Sequence, residues 1–415
     1  MAANNPVRPF SSESVLSHFN SSDNLEELTL VWLDESIRME DSYCSKIATS
    51  FRETINYLKT FSGIEECANY VLTVTTEKVF LITSGKLSET IARLIHNIPQ
   101  VFCIYVFCEN QGKYVEWASN YSKIRGVFVD ADSLLIKLRE DVKLSYLIIS
   151  STISTCLVNN DNEKTSIHDA SNDENGTFRF YQLLVEILVY LPHTEDEKDE
   201  LIQECRKYYH DNKVELNKID EFDRTYTPDT ALLWYTKECF LYRLMNKALR
   251  TGKMEVILKF RFFIIDLYKQ LLEFYEKDRY LYICHRSSFL RKYKYVQTIS
   301  ENESEERHEY SVFRGQQMTS DELHLFKQRI GSKVLFKAFL STTTSPVIAL
   351  IYGTNKLDNC PTESILFEVK INCSEESNPY FDTRTISKFK DENEHSQFTL
   401  LPRTLDSKAS LDYGR

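Results

Sequence analysis

The sequence has no run of about 18 uninterrupted apolar residues, the length a membrane-spanning helix requires. The nearest stretch, Met254–Phe274, is broken by Lys259, Arg261, Asp266, Lys269 and Glu273, so no membrane association is expected. The opening residues, MAANNPVRPFSSESVLSHFN, lack the apolar core of a secretory signal. Positive charge is not in excess. With 50 Lys and Arg against 61 Asp and Glu the net charge is −11, which argues against a general nucleic-acid binder held by phosphate contacts. The ten cysteines form no CxxC pair and no Cys/His cluster of zinc spacing, so no metal is expected. Cys103 and Cys108, inside an apolar run, read as buried thiols. Free thiols without a signal point to the cytoplasm, and the Asn-x-Ser/Thr triplets at Asn20 and Asn175 then carry little weight. No internal repeat is evident, which removes solenoid architectures.

Apolar material is ample: 42% hydrophobic and 13% aromatic residues over 415 positions, enough for two or three packed domains. Residues 1–24 are polar and rich in Ser and Asn, and read as a flexible arm. Over 25–145, the β-rich runs Leu28–Leu33, Val79–Thr83, Val101–Phe107 and Gly126–Val129 alternate with amphipathic helical patterns at Ser45–Leu58, Lys86–His96 and Ser133–Arg139. Strands apolar on both faces, interleaved with helices, predict an open parallel sheet covered on both sides, a flavodoxin-like α/β domain. In such a fold Asp34 would stand just past the first strand, and Ser84–Gly85 would end another at a helix start, where an anion can be held. No lysine suits a phosphoacceptor site. A binding or scaffold module with an unknown ligand or protein partner is the plainer reading.

A linker is expected over 146–177, centred on the polar stretch 158–177. Helical patterns dominate 178–299. Thr227 reads as an N-cap with Pro228 at the first helical position, followed by helices over Ala231–Leu249 and Met254–Tyr275. The charged run Ser300–Glu309 then introduces a β-rich part, 300–415, with strands at Ser311–Phe313, Phe336–Leu340, Ile365–Ile371 and Phe398–Leu401. The expected class for 178–415 is α+β, a helical lobe followed by a β-rich split-sheet lobe.

Three short segments in this last part form a constellation. Tyr310–Gln316 (YSVFRGQ) is a strand ending in Arg314 and followed by Gly315. Phe339–Thr343 (FLSTT) is a strand leading into hydroxyl residues. Asp391–Glu394 (DENE) carries Glu392 and Glu394 two residues apart. Taken singly they are ordinary: an Arg-Gly turn, a half-buried strand with a solvated end, and a charged loop. In this order they resemble the R–S–ExE class of arginine-specific mono-ADP-ribosyltransferases. Tyr226–Arg250 resembles that family's helical lobe and Glu363–Ile371 its following core strand, so the resemblance covers roughly 226–394. A second ENE, at Glu301–Glu303, precedes the other segments and is set aside. The segments WLDESI, FLITSG, YVFCEN and GVFVD resemble a module of invertebrate proteins that also carry such domains.

The resemblance implies an NAD(P)-dependent transferase with NAD as substrate and a protein acceptor bearing an exposed arginine. Arg314 would grip the pyrophosphate with a planar, permanently charged guanidinium. Gly315 would let the backbone approach the nicotinamide amide. Ser341 would help fix the cofactor and the catalytic glutamate. Glu394 would stabilise the cationic ribose as nicotinamide leaves, by the charge logic of glycoside cleavage. Glu392 would orient the incoming guanidinium. One departure stands out. The family runs from the second glutamate straight into an apolar strand, whereas here His395–Ser396–Gln397 intervene before Phe398. An NAD glycohydrolase, with water as acceptor, and an impaired NAD-binding scaffold are the alternatives.

Overall fold

The computed structural model describes residues 24–37, 41–151, 155–158, 184, 187–188, 196–237, 239–292, 309–328, 333–336, 340–354, 362–372, 380–382, 397–400 and 404–406. The described residues are mixed α/β, with one parallel and two antiparallel sheets among them.

The parallel sheet holds β1 (Leu28–Leu33), β2 (Leu58–Phe61), β3 (Lys78–Ser84), β4 (Val101–Phe107) and β5 (Ile124–Phe128) in the order β2-β1-β3-β4-β5. That is the doubly wound order of flavodoxin-type sheets. Its helices are α1 (Ser42–Arg52), α2 (Ile64–Thr73), α3 (Gly85–Ile95), the single turn α4 (Val115–Ala118) and α5 (Ala131–Ser151). All six residues of β1 are buried, and their period of two divides them between two cores. Leu28, Leu30 and Trp32 face Phe51 of α1 and Leu134 and Leu138 of α5. Val31 and Leu33 face Val71 of α2 and Ile91 of α3. In β4 the register slips between Val101 and Cys103, so Val101 and Ile104 reach the same core; an extra residue in a strand does this.

Several boundaries differ from the sequence expectation. The helix expected over Ser45–Leu58 ends at Arg52, because Leu58 begins β2 beside Leu30. Neither β2 nor α2 is among the elements expected from the sequence; LKTF is a short edge strand with only Leu58 buried. Helix α5 continues to Ser151, into the span assigned to a linker. Beyond it, β6 (Thr155–Val158) pairs with β8 (Lys333–Phe336), and β13 (Thr404–Asp406) completes a three-stranded antiparallel sheet. Most of the expected linker and residues 1–23 of the expected arm lie outside the described residues.

The helical part comprises α6 (Glu197–Tyr208), α7 (Lys213–Thr225), α8 (Ala231–Tyr235), α9 (Phe240–Thr251), α10 (Met254–Lys259) and α11 (Arg261–Lys292). Pro228 opens a 3₁₀ turn just ahead of α8. The continuous helices expected over Ala231–Leu249 and Met254–Tyr275 are each interrupted, between Tyr235 and Phe240 and at Phe260. Gly252, at φ 69°, ends α9 in the left-handed region; there glycine avoids the Cβ clash, and the Lys253 amide returns to the Ala248 carbonyl at 3.2 Å. Phe222, Trp234, Phe240 and Phe263 centre this core.

The segment before β1, assigned in part to the arm, binds the two parts together. Asn24 donates to the Leu28 carbonyl at 2.8 Å and accepts from the Tyr208 hydroxyl at 3.1 Å. Leu25 joins the helical core. Glu26 pairs with Arg243 at 3.1 Å and accepts from the Tyr209 hydroxyl. Arg243 reaches Glu215 at 2.9 Å, Lys247 reaches Glu77 at 2.7 Å, and Arg250 pairs with Glu27. Asn212 caps α7 and donates to the Arg52 carbonyl at 2.7 Å. Burial alone would raise the Glu77 and Glu215 carboxyls; Lys247 and Arg243 outweigh it and hold both below the ordinary 4.5.

Glu26→Ala would leave Arg243 buried with one anion fewer. We expect a loss of about 3–5 kcal/mol in unfolding free energy; a loss under ~1 kcal/mol in urea titration would mean that the network does not hold the parts together. The depressed carboxyls also set a pH dependence. Their contribution is full above the unfolded-state value near 4.5 and is lost as pH falls through the lower folded-state values. Stability should therefore decline below pH 4.5, and Glu215→Gln should flatten that decline. A variant with the wild-type slope would assign the acid sensitivity elsewhere.

Candidate active site

The second antiparallel sheet carries two of the three motif segments. Its strands are β7 (Glu309–Thr319), β9 (Leu340–Thr343), β10 (Thr362–Asn372), β11 (Tyr380–Asp382) and β12 (Gln397–Leu400), in the order β10-β7-β9-β12-β11. The sequence expectation ended the first strand at Arg314. Instead β7 runs on to Thr319, because β10 offers an equally long partner and the ladder continues from Asn372↔Glu309 to Thr362↔Thr319. Arg314 lies opposite Phe367 and Gly315 opposite Leu366. Gly315 is buried within strand β7, not in a turn; among the described glycines only Gly126 and Gly252 have positive φ.

The strand expected over Phe336–Leu340 is two strands in two sheets. β8 ends at Phe336 and belongs with β6 and β13, while β9 starts at Leu340 between β7 and β12. Apolar residues on both sides of the break make a single strand of it in the sequence. Part of the hydroxyl run that follows serves local structure. The Thr343 hydroxyl accepts from the Ser345 amide at 3.2 Å, and the Ser345 hydroxyl accepts from the Ile348 amide at 3.4 Å, at the start of the next helix (Pro346–Thr354). Ser345 thus caps a helix with proline at its first position.

Arg314 and Ser341 come together. Arg314 Nη1 donates to the Ser341 carbonyl at 2.6 Å, across the junction where Phe313 pairs with Thr343. Burial lowers the proton affinity of the guanidinium, and the neighbouring Tyr242 and Tyr235 phenols oppose that. The Tyr235 and Tyr242 rings lie 5.3 Å apart. The Tyr235 hydroxyl stands against the side chains of Ser341 and Asn246. Asn246 is close to that hydroxyl, but neither its amide nitrogen nor its oxygen makes a hydrogen bond of full geometry. Gln316 and Gln317 are buried beside Gly315, and Gln317 donates to the Ser364 hydroxyl at 3.1 Å. The sequence reading did not single out Tyr235, Tyr242, Asn246 or Gln316. Tyr242 and Asn246 are four residues apart on α9 and so share a face, but that spacing alone does not separate a site from a core.

Glu392 and Glu394 lie outside the described residues. The strand that follows them, β12, pairs antiparallel with β9, setting Thr399 opposite Ser341 and Gln397 opposite Thr343. Gln397, expected to precede the strand, is therefore its first residue. Among the described residues, no three His, Cys, Asp or Glu side chains converge as a metal site, and no helix is long and apolar enough to cross a membrane.

The α/β module's own candidates have structural explanations. Asp34 accepts from the Ser36 amide at 2.8 Å and hydroxyl at 2.7 Å, closing a turn after β1. Lys86 is tied to Glu35 on the surface. At Gly85 an added Cβ would stand 2.7 Å from Cys108 and the Tyr114 ring, so glycine there admits close packing of Tyr114. Burial pushes the Cys103 thiol up to about 12, which makes it inert; Cys108 is only partly buried. A groove of about 500 Å³ between α2 and α3, lined by Ile64, Ala68, Leu72, Leu94 and Ile98, shares no residue with the Arg314 cluster.

No protein-family model matches the chain, and no curated protein matches it.

Proposed function

We propose that the chain transfers ADP-ribose from NAD to an arginine side chain of a protein acceptor, releasing nicotinamide. The observation that supports this best is the pairing of Arg314 and Ser341. Two segments 27 residues apart, on separate strands, meet at 2.6 Å, as the ordered motifs require. In this reading the helical and β-rich parts are the two lobes of the catalytic unit, and the two antiparallel sheets are its split sheet. Gln397, three positions after Glu394 in the sequence, stands opposite Thr343.

The chemistry follows from charge. The bond from ribose C1′ to the nicotinamide nitrogen breaks, and its electron pair leaves with nicotinamide. The cationic ribose that develops is stabilised by the Glu394 carboxylate. An arginine nitrogen held by Glu392 forms the new bond to C1′ and gives up its proton to water. Arg314 and Ser341 hold the NAD substrate, with Gly315 leaving room for the carboxamide. No metal takes part. The partner is a protein with an exposed arginine in the cytoplasm, not a nucleic acid or a membrane, and the α/β module serves an unassigned ligand or protein.

Arg314→Lys keeps the charge and loses the planar fork. We expect the Michaelis constant for NAD to rise about tenfold or more, the equivalent of one charged hydrogen bond; an unchanged constant would make Arg314 a purely structural residue.

The two glutamates should separate. Glu394→Gln is expected to abolish both protein labelling and nicotinamide release, since both need charge at the breaking bond. Glu392→Ala should abolish labelling while sparing hydrolysis. Labelled NAD with an arginine-rich acceptor reads both at once. Hydrolysis without labelling in the wild type would identify a glycohydrolase, and NAD binding without turnover a scaffold. Full activity of Glu394→Gln would reject the assignment.

A further inference from the structure

Helix α9 makes two sets of contacts. Arg243, Lys247 and Arg250, at positions i, i+4 and i+7, share one face. Tyr242 and Asn246 share another, rotated by about 100°. The first face meets the beginnings of two inner strands of the parallel sheet, β1 and β3. Glu26 and Glu27 immediately precede β1, and Glu77 immediately precedes β3. Arg243 holds Glu26, Arg250 holds Glu27, and Lys247 holds Glu77 while donating to the main-chain carbonyls of Asn24 and Glu26. Lys247 is almost wholly buried there. The second face carries Tyr242, whose ring centroid lies 5.3 Å from that of Tyr235; both phenols are within electrostatic reach of Arg314, and the Tyr235 hydroxyl is within reach of the Asn246 and Ser341 side chains. A rigid helix clamped by buried charges on one side transmits its position to the other, because a closely packed interior takes up little displacement.

We propose that Arg243, Lys247 and Arg250 are positioning residues, through which the starts of β1 and β3 fix α9 and α9 in turn fixes the Arg314–Ser341 junction. The α/β module is on this account a structural part of the site rather than a tethered neighbour. The inference rests on geometry and holds whether or not NAD is the ligand.

Amide hydrogen exchange followed by mass spectrometry tests it on the full chain. Glu77→Gln removes the anion facing Lys247 and leaves Arg314, Ser341, Tyr235 and Tyr242 untouched. Exchange in peptides spanning β7 and β9 should quicken about tenfold, the local opening expected from loss of one charged tie. Peptides from α3 and β4, remote from the network, should keep wild-type protection. Arg250→Lys, which keeps the charge and shifts its reach, is the milder variant and decides the matter if Glu77→Gln does not fold; a smaller increase confined to α9, β7 and β9 is expected. Wild-type exchange in β7 and β9, in whichever variant retains the native circular dichroism, overturns the proposal, as does equal loosening of α3 and β4. Loss of NAD turnover does not enter this readout, so failure of the functional reading and failure of the coupling give different results.

Discussion

Burying charge is expensive, and an unpaired buried charge costs several kcal/mol. The two buried cations Arg243 and Lys247, with Glu26, Glu77 and Glu215 around them, are therefore the constraint on which the arrangement depends. Lys247 and Glu26 are only a few per cent exposed. None of these groups would be tolerated there alone. These five groups come from the segment before β1, the residue before β3, the first turn of α7 and the middle of α9. The network forms only when the parallel sheet and the helical part are both folded and docked. A buried ion pair adds little net stability over an apolar contact, but it tolerates few alternative geometries. Its effect here is to fix one docking geometry.

This network could not be read from the sequence. Asn24–Glu27 (NLEE) looks like the end of a polar arm, and two adjacent glutamates usually mark solvent. They are buried because their counter-ions arrive more than 200 positions later, and local pattern carries no information about such pairs. The parallel sheet, by contrast, was legible. LTLVWL, KVFLITS and VFCIYVF are apolar on both faces, and that alone demands helices on both sides. What failed was the edge: LKTF buries one residue of four, so neither alternation nor an apolar run announces it. The helical breaks failed for a related reason. The period of 3.6 continues across 236–239 in the sequence, and no proline or glycine there signals an interruption.

The candidate site was legible in its order and not in its setting. Arg314 and Ser341 were both readable as strand residues, but that their strands are neighbours is set by the sheet and not by the order of the segments. That Arg314 sits within an 11-residue strand rather than at its end depends on the length of β10, some fifty residues away. The tyrosines Tyr235 and Tyr242 were hidden by the abundance of aromatic residues, because the pattern of α8 and α9 is satisfied equally well by an ordinary core. Tyr235 lies in the same core as Phe222 and Trp234, and Tyr242 packs against it; their electrostatic effect on Arg314 is what sets the two phenols apart.

The position of Arg314 sets a condition on any anion it holds. In the half-buried junction between β7 and β9 its charge is less screened than at a surface, so a phosphate reaching it gains more than it would in water. That gain requires the guanidinium to stay in one place, because a bidentate contact is lost with a small displacement. One Nη is already fixed to the Ser341 carbonyl, and the phenols of α8 and α9 neighbour the same group. Precision at Arg314 thus depends on the placement of α9, and α9 is placed by the charges beneath β1 and β3. A chain that kept the three motif segments but lost the acidic residues before those strands would keep the chemistry of its side chains and lose the geometry that brings them to bear.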